Sequence, residues 1–212
     1  MPELLRRAFH AELEEIEEKI IRLFAMVSES LAAATDTFLA GDRASAREIV
    51  DSDRLIDELD ADIEQLVQRN LTLQQPVASD MRLLLTALRI VPELERSGDL
   101  AEHIASRAAD GLGAELSPKL RGMVEQMGRI AGNMWRSTAD AFVDRDATAV
   151  DRLEEHDAHL NRLRTEMYDR LADGEVSFPT AVEMALVGRF YERLGDHAKH
   201  IARRICYLAR GD

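Results

Sequence analysis

The chain has 212 residues, with 40 Asp and Glu against 27 Lys and Arg, and a formal net charge of −13. That surplus of acid excludes binding nucleic acid through its phosphates, because release of condensed counterions needs a basic surface. A single cysteine excludes an internal disulfide, and 32% charged residues with only 5% aromatic ones point to an all-helical protein. The first segment, residues 3–40, carries Leu13, Ile16, Ile20, Leu23, Val27 and Leu31 at helical spacing. Gly41 and Asp42 break it, with Asp42 placed to cap the next helix, residues 43–73. Pro76 ends that one, and a third begins near Val77, with Pro92 inside it set to kink it or remove one hydrogen bond. Residues 110–118 read as a linker, after which helices are predicted over 118–143, 147–173 and 179–209. No stretch alternates at period two, so no sheet is expected. The start, Met-Pro-Glu-Leu-Leu-Arg-Arg, lacks the apolar core of a signal peptide, and no apolar run approaches the ~20 residues of a membrane span. No membrane insertion and a reducing, cytoplasmic location follow as expectations.

The chain writes one phrase twice. Residues 95–105 read Glu-Arg-Ser-Gly-Asp-Leu-Ala-Glu-His-Ile-Ala, and residues 192–202 read Glu-Arg-Leu-Gly-Asp-His-Ala-Lys-His-Ile-Ala. Upstream, Phe38, Asp42, Ile49, Asp53 and Ile56 find counterparts 104 residues later in Phe142, Asp146, Leu153, Asp157 and Leu160. The closing phrase repeats at an offset of 97, so the second copy is shorter between its middle and last helices. A period near 100 residues marks a duplicated domain, residues 1–112 and 113–212, rather than a short-repeat solenoid. The expected fold is two tandem antiparallel three-helix bundles related by a pseudo-twofold, with helices of roughly 40 Å at 1.5 Å per residue.

Several acids sit on the apolar stripes. Asp53 lies four after Ile49 and three before Ile56, with Asp57 one turn on; Glu95 and Asp99 form the same pair on the third helix. The second copy offers Asp157 with Asn161, and Glu192 with Asp196. Carboxylates four apart are neighbours on a helix and repel when partly buried, so a metal, an Arg partner or protonation must compensate. Two adjacent helices could bring Asp53, Asp57, Glu95 and Asp99 together as an oxygen-rich site for Mg²⁺, Mn²⁺ or iron. In the second copy Asn161 replaces one carboxylate, so a weaker site is expected, which Asn161→Asp should strengthen. His197 and His200, or His156, could shift it towards zinc or iron. His103 and His200 match across the copies, each four residues after the Asp, as ligands, as orienting groups or as packed histidines. The alternative for all these acids is an ion-pair and capping network, with Arg82, Arg89 or Arg189 as partners. Gly98 and Gly195, costly inside a helix, imply that another helix or a ligand shell comes close.

Duplication at about 100 residues, with Asp53-Arg-Leu-Ile-Asp57 on the middle helix and Glu95-Arg-Ser-Gly-Asp99 and Glu192-Arg-Leu-Gly-Asp196 on the last, resembles the PhoU family over residues 7 to 208. Asn161 departs from that family's acidic pattern. The resemblance implies a cytoplasmic, non-enzymatic, homodimeric negative regulator of phosphate uptake and of phosphate-starvation signalling. Its implied partners are the ATPase of the phosphate ABC transporter and a phosphate-sensing histidine kinase, with metal clusters at the acidic motifs. A metal-free helical adaptor has the same fold. A ferritin-like carboxylate enzyme would carry Glu-x-x-His on two helices, and none of the six histidines has Glu three residues before it.

Overall fold

The computed structural model describes residues 2–74 and 76–211; the expected outer limits at residues 1 and 212 lie outside them. Helix α1 (Pro2–Ala40) is followed by α2 (Arg43–Ser52), α3 (Arg54–Leu73) and α4 (Ala78–Ala109). A single 3₁₀ turn (Leu112–Glu115) leads into α5 (Pro118–Asp144), α6 (Ala149–Ala172) and α7 (Phe178–Arg210). There is no strand among the described residues. Caps set the starts: the Asp42 carboxylate accepts from the Ala44 and Ser45 amides at 3.1 Å, and the Ser117 and Ser177 hydroxyls cap α5 and α7 just ahead of Pro118 and Pro179.

Six helices were expected and seven α-helices are found among the described residues. The long middle helix of the first copy is interrupted at Asp53, while its counterpart α6 is continuous. The backbone at Asp53 stays right-handed helical, but the bonding tightens: Asp53 N donates to Val50 O at 3.3 Å, and Ile56 N donates to Asp53 O at 2.8 Å. Three-residue spacing in place of four is a 3₁₀ turn, and it lies at the first acid of the stripe. Pro92, by contrast, does not end α4, which runs on to Ala109.

Within each copy the first and third helices pack together, α1 on α4 and α5 on α7, with α2 and α3, or α6, packed against both. Between copies α1 meets α5 and α4 meets α7. The four long helices therefore share one continuous core, in which Ile16, Ile20, Phe24, Leu31, Trp135, Phe142 and Tyr191 are fully buried. Each such side chain contributes about 1.5–3 kcal/mol by leaving water. α1 corrects one expectation, since by length and composition it could cross a membrane. One apolar stripe, Ile16, Ile20, Leu23, Phe24, Val27, Leu31, Ala34 and Phe38, is instead buried against α3, α4 and α5, while Ile21 stays exposed.

The α1–α5 crossing is tight. A Cβ on Gly128 would stand 2.4 Å from Thr35 Cγ2 and 3.1 Å from Thr35 Cβ. Thr35 Oγ1 donates to Leu31 O at 2.8 Å, so its 2.8 Å bond with the Tyr191 hydroxyl must be donated by the tyrosine. Burial raises the Tyr191 pKa and keeps it neutral.

Candidate metal centre

The acids of the first copy face one another across the antiparallel α3–α4 pair. Carboxylate oxygens of Asp53, Asp57 and Asp99 all lie within 4.8 Å of one another, Asp57 exposed and the other two half-buried. Glu95, one turn before Asp99, stands outside that trio, on the side of Asp57 and Asp60. Among the described residues none of these four has a Lys or Arg within ion-pair distance. Arg96, the nearby cation, donates to Glu93 at 3.2 Å.

The electrostatics follow from that crowding. Burial, and then the Asp99 and Asp57 charges, push Asp53 up to about 6. Glu95 is raised too, first by burial and then by Asp99, Asp60 and Asp57, and Asp99 is raised first by burial and then by Asp57 and Glu102. Sequence reasoning missed two further acids there. Asp60, raised by burial and by Glu64 and Asp57, extends the band on α3, and Glu102 extends it on α4 beside Asp53 and Asp99. Their signal was legible, since each lies three residues after an acid already singled out. Two half-buried carboxylates and one exposed one, open to solvent on one side, are the kind of donor set that a hard divalent cation takes, completing its shell with water. The residues fit such an ion.

Gly98 explains the packing beneath. A Cβ there would meet Ile56 Cδ1 at 2.8 Å and Asp53 Oδ1 at 3.2 Å; on Gly195 it would meet Leu160 Cδ2 at 2.9 Å. In both copies the glycine admits the apolar residue three after the first Asp, and in the first copy the carboxylate comes with it.

The second copy is built differently. Lys199 donates to Asp157 at 2.8 Å, and Glu192 is held by Arg189 and, at 3.9 Å, by Arg164. The Asn161 amide turns back onto the Asp157 carbonyl at 3.1 Å, and Asp196 is exposed. At the repeat offsets Arg164 occupies the place of Asp60, and Lys199 that of Glu102. Asn161 is thus one of three exchanges, and the structure does not bring these residues together as a cluster of free acids. No histidine belongs to the Asp53, Asp57 and Asp99 trio, although His103 lies near enough to offset part of the rise at Asp53 and Asp99. His103 Nδ1 is 2.6 Å from Glu102, with its ring edge-on to Phe190. His197 is buried at the α4–α7 seam, its Nδ1 2.9 Å from Ser97 Oγ, and burial lowers its pKa. His200 is exposed on α7, in a cavity with Arg89 and Arg204.

Comparison with known proteins bears on both copies. The family model described as the PhoU domain matches twice, over residues 20–108 and 124–205. The chain is 30% identical over 210 residues to phosphate-specific transport system accessory protein PhoU homolog 2 of Mycobacterium tuberculosis, covering 98% of this chain and 99% of that protein. It superposes on the crystal structure of PhoU from Pseudomonas aeruginosa with a TM-score of 0.88 at 27% identity, covering 96% of this chain and all of that one. The phosphate transport system regulatory protein PhoU from Streptococcus pneumoniae, at 24% identity and a TM-score of 0.87, shares the fold.

Proposed function

The chain belongs to the PhoU family, and from that premise we propose that it is an accessory regulator of phosphate transport that holds uptake and the phosphate-starvation response down when phosphate is plentiful. One observation carries the reading: the family match extends through both repeats and nearly end to end, to relatives named as accessory proteins of the phosphate-specific transport system. The role is binding rather than catalysis. The partners fitted to it are the ATPase of the phosphate ABC transporter and a phosphate-sensing histidine kinase, met at the cytoplasmic face by a homodimer. Asp53, Asp57 and Asp99 hold a divalent cation in this reading, with Glu95 beside them. The ion neutralises charges that no Lys or Arg pairs among the described residues, and so fixes α3 against α4. Deleting the gene in the native host tests the role: starvation-induced genes, read by a reporter in abundant phosphate, are expected to be derepressed. Normal repression in that strain, with no second gene of the family present, would overturn it.

A further inference from the structure

The two copies meet along the antiparallel α4–α7 seam, and repeat-related residues line its two halves. In one half, His103 and Arg107 of α4 face α7. There the Phe190 ring covers both, with His103 edge-on at 5.4 Å between centroids and the Arg107 guanidinium 4.8 Å above it. Arg107 also pairs with Glu183 at 3.0 Å. That half is filled and its cation is neutralised.

In the other half the counterparts are His200 and Arg204 of α7, facing α4. Here the position of Phe190 is taken by Glu93, that of Leu186 by Arg89, and that of Glu183 by the uncharged Thr86. The aromatic cover is gone, and a cavity of about 150 Å³ opens, lined by Arg89, Glu93, His200, Ile201 and Arg204. Among the described residues Arg89, His200 and Arg204 have no hydrogen bond or ion pair. Glu93, the single acid in the wall, is already engaged by Arg96 at 3.2 Å, with His197 Nε2 at 3.7 Å. In a chain of net charge −13, two unpaired guanidinium groups and an imidazole round one small cavity are an electrostatic exception. Guanidinium groups present forked donors that match tetrahedral oxyanions, and a half-enclosed site strengthens the match.

We infer that the Arg89, His200 and Arg204 cavity at the α4–α7 seam binds a free tetrahedral oxyanion of phosphate size. The anion stands where Phe190 and Glu183 stand in the other half, and it ties α4 of the first repeat to α7 of the second. The site is separate from the acidic trio on α3 and α4. It stands on the seam's own geometry, and binding is read on the purified chain, so its failure and the failure of the regulatory reading are told apart.

The test is calorimetric titration of the full chain with inorganic phosphate, at constant ionic strength and after chelation, so that no metal at Asp53 bridges the anion. Saturable binding is expected. Arg89→Ala and Arg204→Ala should each weaken it about tenfold or more, the range for losing a charge-assisted hydrogen bond. Glu93→Gln should strengthen it, which no loss of folding could mimic. Arg203→Ala removes the same charge from an exposed position one residue away and should leave affinity nearly unchanged. Absence of saturable binding, or a loss in Arg203→Ala equal to that in Arg204→Ala, would overturn the site.

Discussion

Among the described residues Asp53, Asp57, Glu95 and Asp99 have no Lys or Arg within ion-pair distance, and their neighbours are mostly acids, so in the metal-free chain their charges oppose folding instead of supporting it. Replacing Asp53 or Asp99 by Asn should therefore raise the thermal stability of the chelated protein, by roughly 0.2–0.5 kcal/mol per relieved like-charge pair. The same changes should abolish divalent-cation binding measured on untagged protein. A fall in stability under chelation would mean that an unseen ion pair had been broken. The pH dependence has a definite sign. Asp53 titrates at about 6 in the folded chain against an ordinary value of 3.8. Between those values the native state binds more protons than the unfolded state, so stability rises as pH falls. Its contribution is complete below the ordinary value and lost as pH climbs through 6. Melting temperature in chelator should accordingly rise from pH 7.5 to pH 5.5, and Asp53→Asn should flatten that rise. In the second copy, Asn161→Asp was expected to strengthen cation binding by itself. Arg164 and Lys199 now stand against that, because a new carboxylate beside them gains an ion pair first. Cation binding there should need Asn161→Asp together with Arg164→Asp and Lys199→Glu, and a titration comparing the single with the triple variant decides the point.

Helix contacts in this fold depend on small residues at crossings. Gly128 lets α5 lie against Thr35 of α1, and the clash there falls on Thr35 Cγ2 at 2.4 Å and Oγ1 at 2.8 Å, whose rotation would break the bonds of Oγ1 to Leu31 and Tyr191. Gly128→Ala should cost about 1–3 kcal/mol, the usual range for overpacking, as read by chemical denaturation. Tyr191→Phe at the same junction removes the bond to Thr35 and should cost about 1 kcal/mol. The helices themselves were readable because apolar periodicity, capping residues and Pro-Gly breaks are local signals. The break at Asp53 was not, because no Gly or Pro marks it: it is a change of hydrogen-bond spacing within helical backbone. The fate of Gly98 and Gly195 was half legible. That something approached them could be read, but that Ile56 and Leu160 do so needed the packing.

Taken whole, the molecule has one core and not two. α1 meets α5 and α4 meets α7, so residues 1–112 expressed alone would expose the faces that now cover the other repeat. That fragment should self-associate or lose fixed packing, seen as poor dispersion in its NMR spectrum and concentration-dependent sedimentation; a monomeric, well-dispersed fragment would contradict the shared core. The sequence by itself determined the all-helical class, the duplication with its two offsets, the helix ends other than the break at Asp53, and the Asp53, Asp57 and Asp99 acids of the first copy. These are local or periodic properties, carried by residues three, four or about a hundred apart along one chain. Only the tertiary structure decided which charges meet. It separated Glu95 from the Asp53, Asp57 and Asp99 trio, paired Asp157 with Lys199 and Glu192 with Arg189, and placed His197 and His200 on the α4–α7 seam. Coulomb energy depends on distance between side chains, and sequence spacing determines that distance only within a helix, never across two.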